Sequence, residues 1–448
     1  MNTLIEYIRR FSFWLQSKLQ WIGQWLKDRL EDSRQKNTIA ALDGIRAIAA
    51  LLVLAFHIGL VTRDQSIWIP ADRSHRFFSS LMMFGWSGVT LFFVLSGFLL
   101  FLPYAKSLLS DSIWPLARRF YLRRVFRIVP AYYVSLFLMI LLFRPEYLHR
   151  DHLQDLGLFL TFFMDSKLST WHNLNGPFWT LAIEWQYYML LPLLVLGIRF
   201  IARHGSLRRR LWTVTFCLLG LISWGVFSRY WGFYFLWHPD QTVLVPRSVL
   251  NVILFFGYGI DGKYLEDFAV GMLIGLWYVF SQRTASDSRF STMMSRLSPW
   301  LWRMGILLLI FMAMWSFNQT YHEWNFLQRL FDFYNPLKEV CISIGFGLIV
   351  AAVLFGPAEM KRPFTWRPLR WLGVISYSLY MWHLQLLFVF WHNVTAYWHG
   401  WNHLLAYSLY WLFAFVVIIP FALLFYLWVE KPWMQIGEKL RARGERKT

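Results

Sequence analysis

Ten stretches of this 448-residue chain are apolar over lengths close to what a bilayer-crossing helix requires, about 20 residues at 1.5 Å each. They lie near 47–61, 77–102, 128–143, 178–200, 211–227, 263–280, 304–320, 337–357, 371–394 and 403–428. This pattern leaves little choice of fold class. In hydrocarbon every backbone N–H and C=O must be satisfied within the protein, and apolar runs of about 20 residues do so as helices. The expectation is an all-α integral membrane protein with about ten transmembrane helices. Composition agrees, with 57% hydrophobic, 20% aromatic and 15% charged residues, against about a quarter charged in soluble domains.

The net charge of +19 raises the question of a nucleic-acid partner. Its distribution answers it. Segments 1–46, 103–127, 199–210, 281–303, 358–370 and 429–448 hold 33 Lys and Arg, whereas loops 62–76, 144–177, 228–262, 321–336 and 395–402 hold 9. The positive-inside rule then places the first set, with both termini, in the cytoplasm. The charge reports topology in a multi-pass cytoplasmic (inner) membrane protein. A nucleic-acid role would need a basic face with stacking aromatics on a soluble module, and none is visible. Cys217 and Cys341 both fall in apolar runs, which argues against a disulfide framework. The first 40 residues lack a compact apolar core with a small-residue cleavage site, so no cleaved leader is expected.

The chain divides into an arm (1–40), a transmembrane unit (41–432) and a basic cytoplasmic tail (433–448). In the arm, Leu4, Ile8, Phe11, Leu15, Leu19, Ile22, Leu26 and Leu30 recur every three or four residues with basic residues between them. That period predicts an amphipathic helix in the cytoplasmic interface, either a simple membrane rest or a lid or partner surface. Residues 153–164 are apolar but too short to cross, and are expected to be re-entrant or interfacial.

Ionisable groups inside spans are costly and are candidates for function. The first span, 43-DGIRAIAALLVLAFHIGL-60, carries Arg46 and His57 with Asp43 at its start. Eleven residues at ~100° and 1.5 Å each put Arg46 and His57 on one face, about 16 Å apart. The expectation is one cavity wall with a cation at the cytoplasmic mouth, suited to a phosphate, and an imidazole at depth, suited to a general base. A coenzyme A thioester has that shape. The plainer alternative is that Arg46 obeys the charge rule and His57 bonds a neighbouring helix.

Further along, 85-GWSGVTLFFVLSGFLL-100 offers Gly85, Gly88, Gly97, Ser87 and Ser96, a close-packing signal. In 118-RRFYLRRVFRIVPAYYVSL-136, Arg123, Arg124 and Arg127 belong to five arginines within ten residues. They are either ordinary positive-inside charge or an anion site for a nucleotide phosphate. In 176-GPFWTLAIEWQYYMLLPLL-194, Glu184 can pair with a cation or bind a sugar hydroxyl beside Trp179, Trp185 and Tyr188. In 376-SYSLYMWHLQLL-387, Ser376, Tyr380 and His383 share a face, as a second polar wall or as satisfied core groups. No strong metal pattern is present, since 149-HRDH-152 is a weak match, and no G-x-S-x-G nucleophile motif occurs.

The order of LDGIRAIAALLVLAFH, GWSGVTLFFVLSGFLL, RRVFRIVPAYY, GPFWTLAIEWQYY, SYSLYMWHLQL and 429-VEKP-432 resembles the acyltransferase-3 family of integral membrane O-acyltransferases, over roughly residues 40–432. The resemblance implies ten or eleven helices. It also implies transfer of an acyl group, often acetyl, from cytoplasmic acyl-CoA as co-substrate to a hydroxyl of an envelope glycan, lipid-linked sugar or secreted small molecule. It makes His57 the catalytic histidine and Arg46 its companion. It favours Arg123, Arg124 and Arg127 as a CoA-side cluster, and Glu184 and His383 match family-like motifs; with Asp43, Ser96, Trp179, Tyr188 and Tyr380, read from the residues themselves, they are expected to be cavity or acceptor-side residues. The step is either direct attack by an acceptor hydroxyl deprotonated by His57, or brief acylation of the histidine. No permanently bound cofactor and no metal are expected. Ala47 stands where glycine is frequent, the basic arm is an addition, and no soluble hydrolase-like domain is expected after the last helix. The competing reading is a transporter or flippase of an envelope precursor, which would move its substrate unchanged. A structural membrane subunit is a third.

Overall fold

The computed structural model describes residues 16–18, 20–21, 23–30, 39–64, 76, 80–110, 112–238, 241, 246–255, 257, 259, 261–283, 289–321, 324, 337–397 and 403–445. Its principal helices are α1 (Ala40–Asp64), α2 (Gly88–Leu109, led in by a 3-10 turn at Phe84–Ser87), α3 (Ala117–Phe143), α4 (Phe178–Ala202), α5 (Leu207–Trp237) and α6 (Leu265–Arg283). They continue with α7 (Arg289–Tyr321), α8 (Lys338–Phe355), α9 (Arg367–Val374), α10 (Ser376–Asn393) and α11 (His403–Phe413). The chain then stays helical through π-turns at Ala414–Ile418 and Tyr426–Glu430 to Glu445. Among the described residues, eight helices are long and apolar enough to cross a membrane, or nine if α9 and α10, bent by 75° at Ile375, form one span.

Three expectations change. The segment 263–280 is helical, but Glu266 and Asp267 in its first turn interrupt the apolar run. α6 is buried among α2, α5 and α8, and it is not among the helices that meet the crossing criterion. The fifth span does not stop at 227: α5 continues to Trp237. Arg229 ends the apolar run in sequence, yet it is 1% exposed because Glu266 and Asp261 neutralise it from within. The ninth span is broken. The short, basic α9 packs on α1, and the chain bends at Ile375 before continuing into the apolar α10.

Glycine sets the tightest crossings. A Cβ on Gly97 of α2 would run into the Phe268 carbonyl of α6, and one on Gly271 of α6 into the Val94 carbonyl of α2. Gly88 meets α1 in the same way at Ala49. Residues 153–160 form a short helix that does not cross. Tyr132 and Tyr133 of α3 donate hydrogen bonds to the Phe159 and Leu160 carbonyls at 2.8 and 2.7 Å, holding its end against the bundle.

The arm is helical at its described residues, 16–18, 20–21 and 23–30. Leu30 is buried and packs with Leu26 in a cluster that includes Leu54, Ile375 and Tyr426, and Lys431 Nζ donates to the Arg29 carbonyl at 2.7 Å. This end of the arm docks on protein. Leu4, Ile8, Phe11, Leu15, Leu19 and Ile22 lie outside the described residues. The expected tail is helical to Glu445, with Trp433 stacked on Phe126 of α3.

Candidate active site

His57 lies on α1 and His383 on α10, and the two meet. His383 Nε2 is 3.0 Å from His57 Nδ1, with ring centroids 4.7 Å apart. Each ring also bonds its own helix: His57 Nδ1 lies 2.9 Å from the Val53 carbonyl, and His383 Nδ1 lies 3.1 Å from the Leu379 carbonyl. His383 is 1% exposed. Its helix is clamped next to it by Asn175, whose side chain donates to the Met381 carbonyl at 2.8 Å. Tyr380 stands beside the pair, its ring 5.7 Å from that of His383 and its hydroxyl 2.7 Å from Thr180 Oγ1.

His57 lines a cavity of about 1080 Å³. The wall is rich in aromatics, including Trp86, Trp171, Trp179, Tyr264, Tyr380 and Trp391, and its polar groups include Arg144, His172, Asn175, Arg229, Asp261, Lys338, Glu339, Gln385, His392 and Asn393. Such a lining suits a ring-shaped ligand with an apolar face and polar edges. Arg229 Nη1 donates to Asp261, and Asp261 also accepts from the Tyr264 hydroxyl. The Lys338 ammonium sits 4.5 Å above the Trp86 ring, a cation–π distance. Thr90 donates to Glu339 at 3.4 Å. His172 lies on the loop before α4; its surface is exposed, and the protein packed around the ring lowers its imidazole pKa by partial desolvation. Asp261 and the Gly176 backbone pull the other way without reversing that.

The other expected residues form a second group. Ser96 Oγ donates to Glu184 Oε1 at 2.6 Å, and the Arg124 guanidinium lies 5.7 Å from the Tyr188 ring centre. Arg46 has Arg127, Asp43, Glu184 and Tyr188 as electrostatic neighbours. Glu430 joins from the end of the second π-turn, facing Arg127 and Arg46 and accepting from Ser378 at 2.8 Å. Tyr380 is the link between the two groups, with His383 on one side and Glu184 within electrostatic reach.

The expectation of one cavity wall shared by Arg46 and His57 is therefore corrected. Trp179 and Tyr380 line the His57 cavity, whereas Arg46, Asp43, Ser96, Glu184 and Tyr188 do not. Arg123 has Arg441, Tyr104 and Arg119 as neighbours and remains within electrostatic reach of Arg124. Sequence reasoning missed Arg229, Asp261, Lys338 and Glu339. For Lys338 and Glu339 the signal was present, because they are charges at the start of an apolar run, the criterion that singled out Arg46, whereas Arg229 and Asp261 gave no such signal. Among the described residues no group of three or more His, Cys, Asp or Glu is placed to hold a metal ion.

A family model described as an acyltransferase domain matches residues 39–427. The chain belongs to the acyltransferase-3 family. It is a multi-pass membrane protein. It is 28% identical over 389 residues to YrhL of Bacillus subtilis, provisionally named a peptidoglycan O-acetyltransferase, covering 80% of this chain and 51% of that protein. It is 25% identical over 365 residues to the peptidoglycan O-acetyltransferase OatA of Listeria monocytogenes, covering 78% and 49%. To the O-acetyltransferase OatA of Staphylococcus aureus it is 21% identical over 375 residues, covering 80% and 52%. The chain thus spans about half the length of these relatives. No solved structure matches it significantly.

Proposed function

We propose that this chain is a membrane O-acetyltransferase that moves an acetyl group from acetyl-CoA to a hydroxyl of a cell-envelope glycan, with His57 as general base. The observation that carries the reading is His57 itself. It is a histidine at the wall of an aromatic cavity, on the helix whose other end joins a group with three arginines, Arg46, Arg124 and Arg127. The distribution of basic residues supports a cytoplasmic side for that group and for both termini in an inner-membrane protein, from which the nucleotide phosphates of the donor would approach. The cavity then belongs to the acceptor. Its tryptophans suit sugar C–H faces, and its polar groups suit hydroxyls. The names of the relatives support a glycan acceptor and an acetyl group.

In the reaction His57 takes the acceptor O–H proton as the oxygen attacks the thioester carbonyl. The new C–O ester bond forms, the C–S bond breaks, and the thiolate leaves with the proton returned from the imidazolium. Only the developing charges need stabilisation, and the arginines are held ready for the donor's charge rather than recruited during the step.

The test is acetyl transfer in isolated membranes supplied with acetyl-CoA labelled in the acetyl group. Wild type is compared with His57→Ala and Arg46→Ala at equal abundance. Label entering glycan only with intact His57 supports the reading, and transfer by His57→Ala at the wild-type rate overturns it. A transporter binds no acetyl-CoA and moves no label into glycan.

A further inference from the structure

We infer that His383 is the positioning residue of His57: together with the Val53 carbonyl it holds the tautomer in which Nε2 of His57 is the basic atom, its own Nε2 lone pair accepting a hydrogen bond from the His57 Nδ1–H. This rests on the reading of His57 as the base, and goes beyond it by assigning the partner and the reacting nitrogen.

The argument is one of donors and acceptors. A backbone carbonyl only accepts. His383 Nδ1 faces the Leu379 carbonyl at 3.1 Å, so that nitrogen carries the hydrogen. In a neutral imidazole the other nitrogen then has the lone pair, and His383 Nε2 directs it at His57 Nδ1, 3.0 Å away. His57 Nδ1 also faces a carbonyl, that of Val53, at 2.9 Å. Its hydrogen is therefore shared between the Val53 oxygen and His383 Nε2. Every bond in the chain agrees: Leu379 C=O accepts from His383, and His383 accepts from His57. The lone pair of His57 is left on Nε2, on a ring that lines the cavity.

The same relay serves the charged state. When Nε2 takes the acceptor's proton, the Nδ1–H bond to His383 becomes charge-assisted and stronger. A catalytic histidine in water-soluble folds is commonly held by a carboxylate. In a membrane core a buried carboxylate costs several kcal/mol to desolvate. A neutral imidazole locked by its own helix carbonyl does the orienting without that charge. The supports around it fit the role. Asn175 ties down the backbone two residues before His383, and Tyr380, fixed by Thr180, stands against its ring.

The experiment has two arms. The first reads the tautomer directly, by imidazole nitrogen NMR of protein labelled with 15N-histidine in lipid bilayers, with His57 assigned by its loss in His57→Ala. Both rings are expected as Nδ1–H. A His57 ring carrying hydrogen on Nε2 overturns the inference. The second arm compares His383→Leu and His383→Gln in the labelled acetyl-CoA assay. Leu removes the acceptor, and kcat falls by roughly 10- to 100-fold with KM for acetyl-CoA unchanged. The Gln side-chain oxygen replaces the lone pair and restores most of the rate. Equal loss in both variants makes His383 a packing residue only, and a wild-type rate in His383→Leu removes its role. An active His57→Ala sinks the reading of the base itself, whereas an inactive one beside an active His383→Leu sinks only the present inference.

Discussion

Arg229 on α5 and Glu266 on α6 form an ion pair in which each side chain is 1% exposed, with Nη2 2.6 Å from the carboxylate. Nε of the same guanidinium donates to the same oxygen at 2.8 Å, and Nη1 reaches the Asp261 carbonyl at 3.1 Å. Removing one partner strands the other charge. Arg229→Ala is therefore expected to cost about 3–5 kcal/mol, and replacing Arg229 and Glu266 together with apolar residues to recover much of it. Thermal unfolding in lipid nanodiscs measures both, and additive losses would show that the pair is not coupled.

The arginine group makes a donor-side prediction. If Arg127 and Arg124 meet the phosphates of acetyl-CoA, Arg127→Ala raises KM for acetyl-CoA by about tenfold, the loss of one charge-assisted contact at about 1.4 kcal/mol. The acceptor's KM stays within about twofold. Arg123→Ala has a much smaller effect, because Arg123 lies with Arg119 and Arg441 rather than with Arg46. Initial rates with each substrate varied in turn decide it. An equal rise for Arg123→Ala and Arg127→Ala would give Arg123 an equal part in donor binding.

The opposite split is expected at the cavity. Trp86→Ala and Trp179→Ala each remove an aromatic face from the wall, and the acceptor's KM rises by about tenfold or more while that of acetyl-CoA holds. A burial loss of roughly 1.5–3 kcal/mol for a large side chain sets the scale. Trp86 also underlies Lys338, so Lys338→Met tests whether its ammonium or the ring beneath it matters. A raised KM for acetyl-CoA in either tryptophan variant would place the donor in this cavity.

The helix between Arg46 and His57 shows what could be read in advance. Spacing gave a shared face and a 16 Å rise, and α1 has both. Nothing in the spacing said which side chains from other helices would fill the face between them, so one cavity was expected where two polar groups exist. His383 shared a face with Tyr380 by the same count, but its contact with His57 spans 326 positions and is invisible to local periodicity. Arg229 shows the converse limit. Hydropathy treats an arginine as the end of a span, and only the fold reveals the carboxylates that let it stay inside. The close crossing of Gly97 was legible from residue size, and its partner on α6 was not.

That crossing carries a stability prediction. A methyl group at Gly97 meets the backbone carbonyl of Phe268, which cannot turn aside as a side chain would. Gly97→Ala is expected to destabilise by about 1–3 kcal/mol, the usual range for overpacking. Gly220→Ala, at a site with no neighbour within 4 Å of the added carbon, is expected to be neutral or slightly stabilising, since alanine has the higher helix propensity. Unfolding midpoints of the two variants separate a packing requirement from a general intolerance of alanine.

His172 supplies the pH dependence. Partial desolvation lowers the pKa of this surface histidine in the folded protein, so below the unfolded value of ~6.5 the unfolded chain holds the proton more readily than the folded one. Stability is therefore retained above that pH and falls as acid protonates the unfolded form first. His172→Gln has no proton to lose. Its stability relative to wild type is expected to be constant above about pH 7 and to rise as the pH is taken from there towards 5. Unfolding midpoints in nanodiscs across that range provide the measurement. Parallel curves for the two proteins would mean that His172 titrates in the fold as it does in the unfolded chain, and that the protein around it does not desolvate the ring.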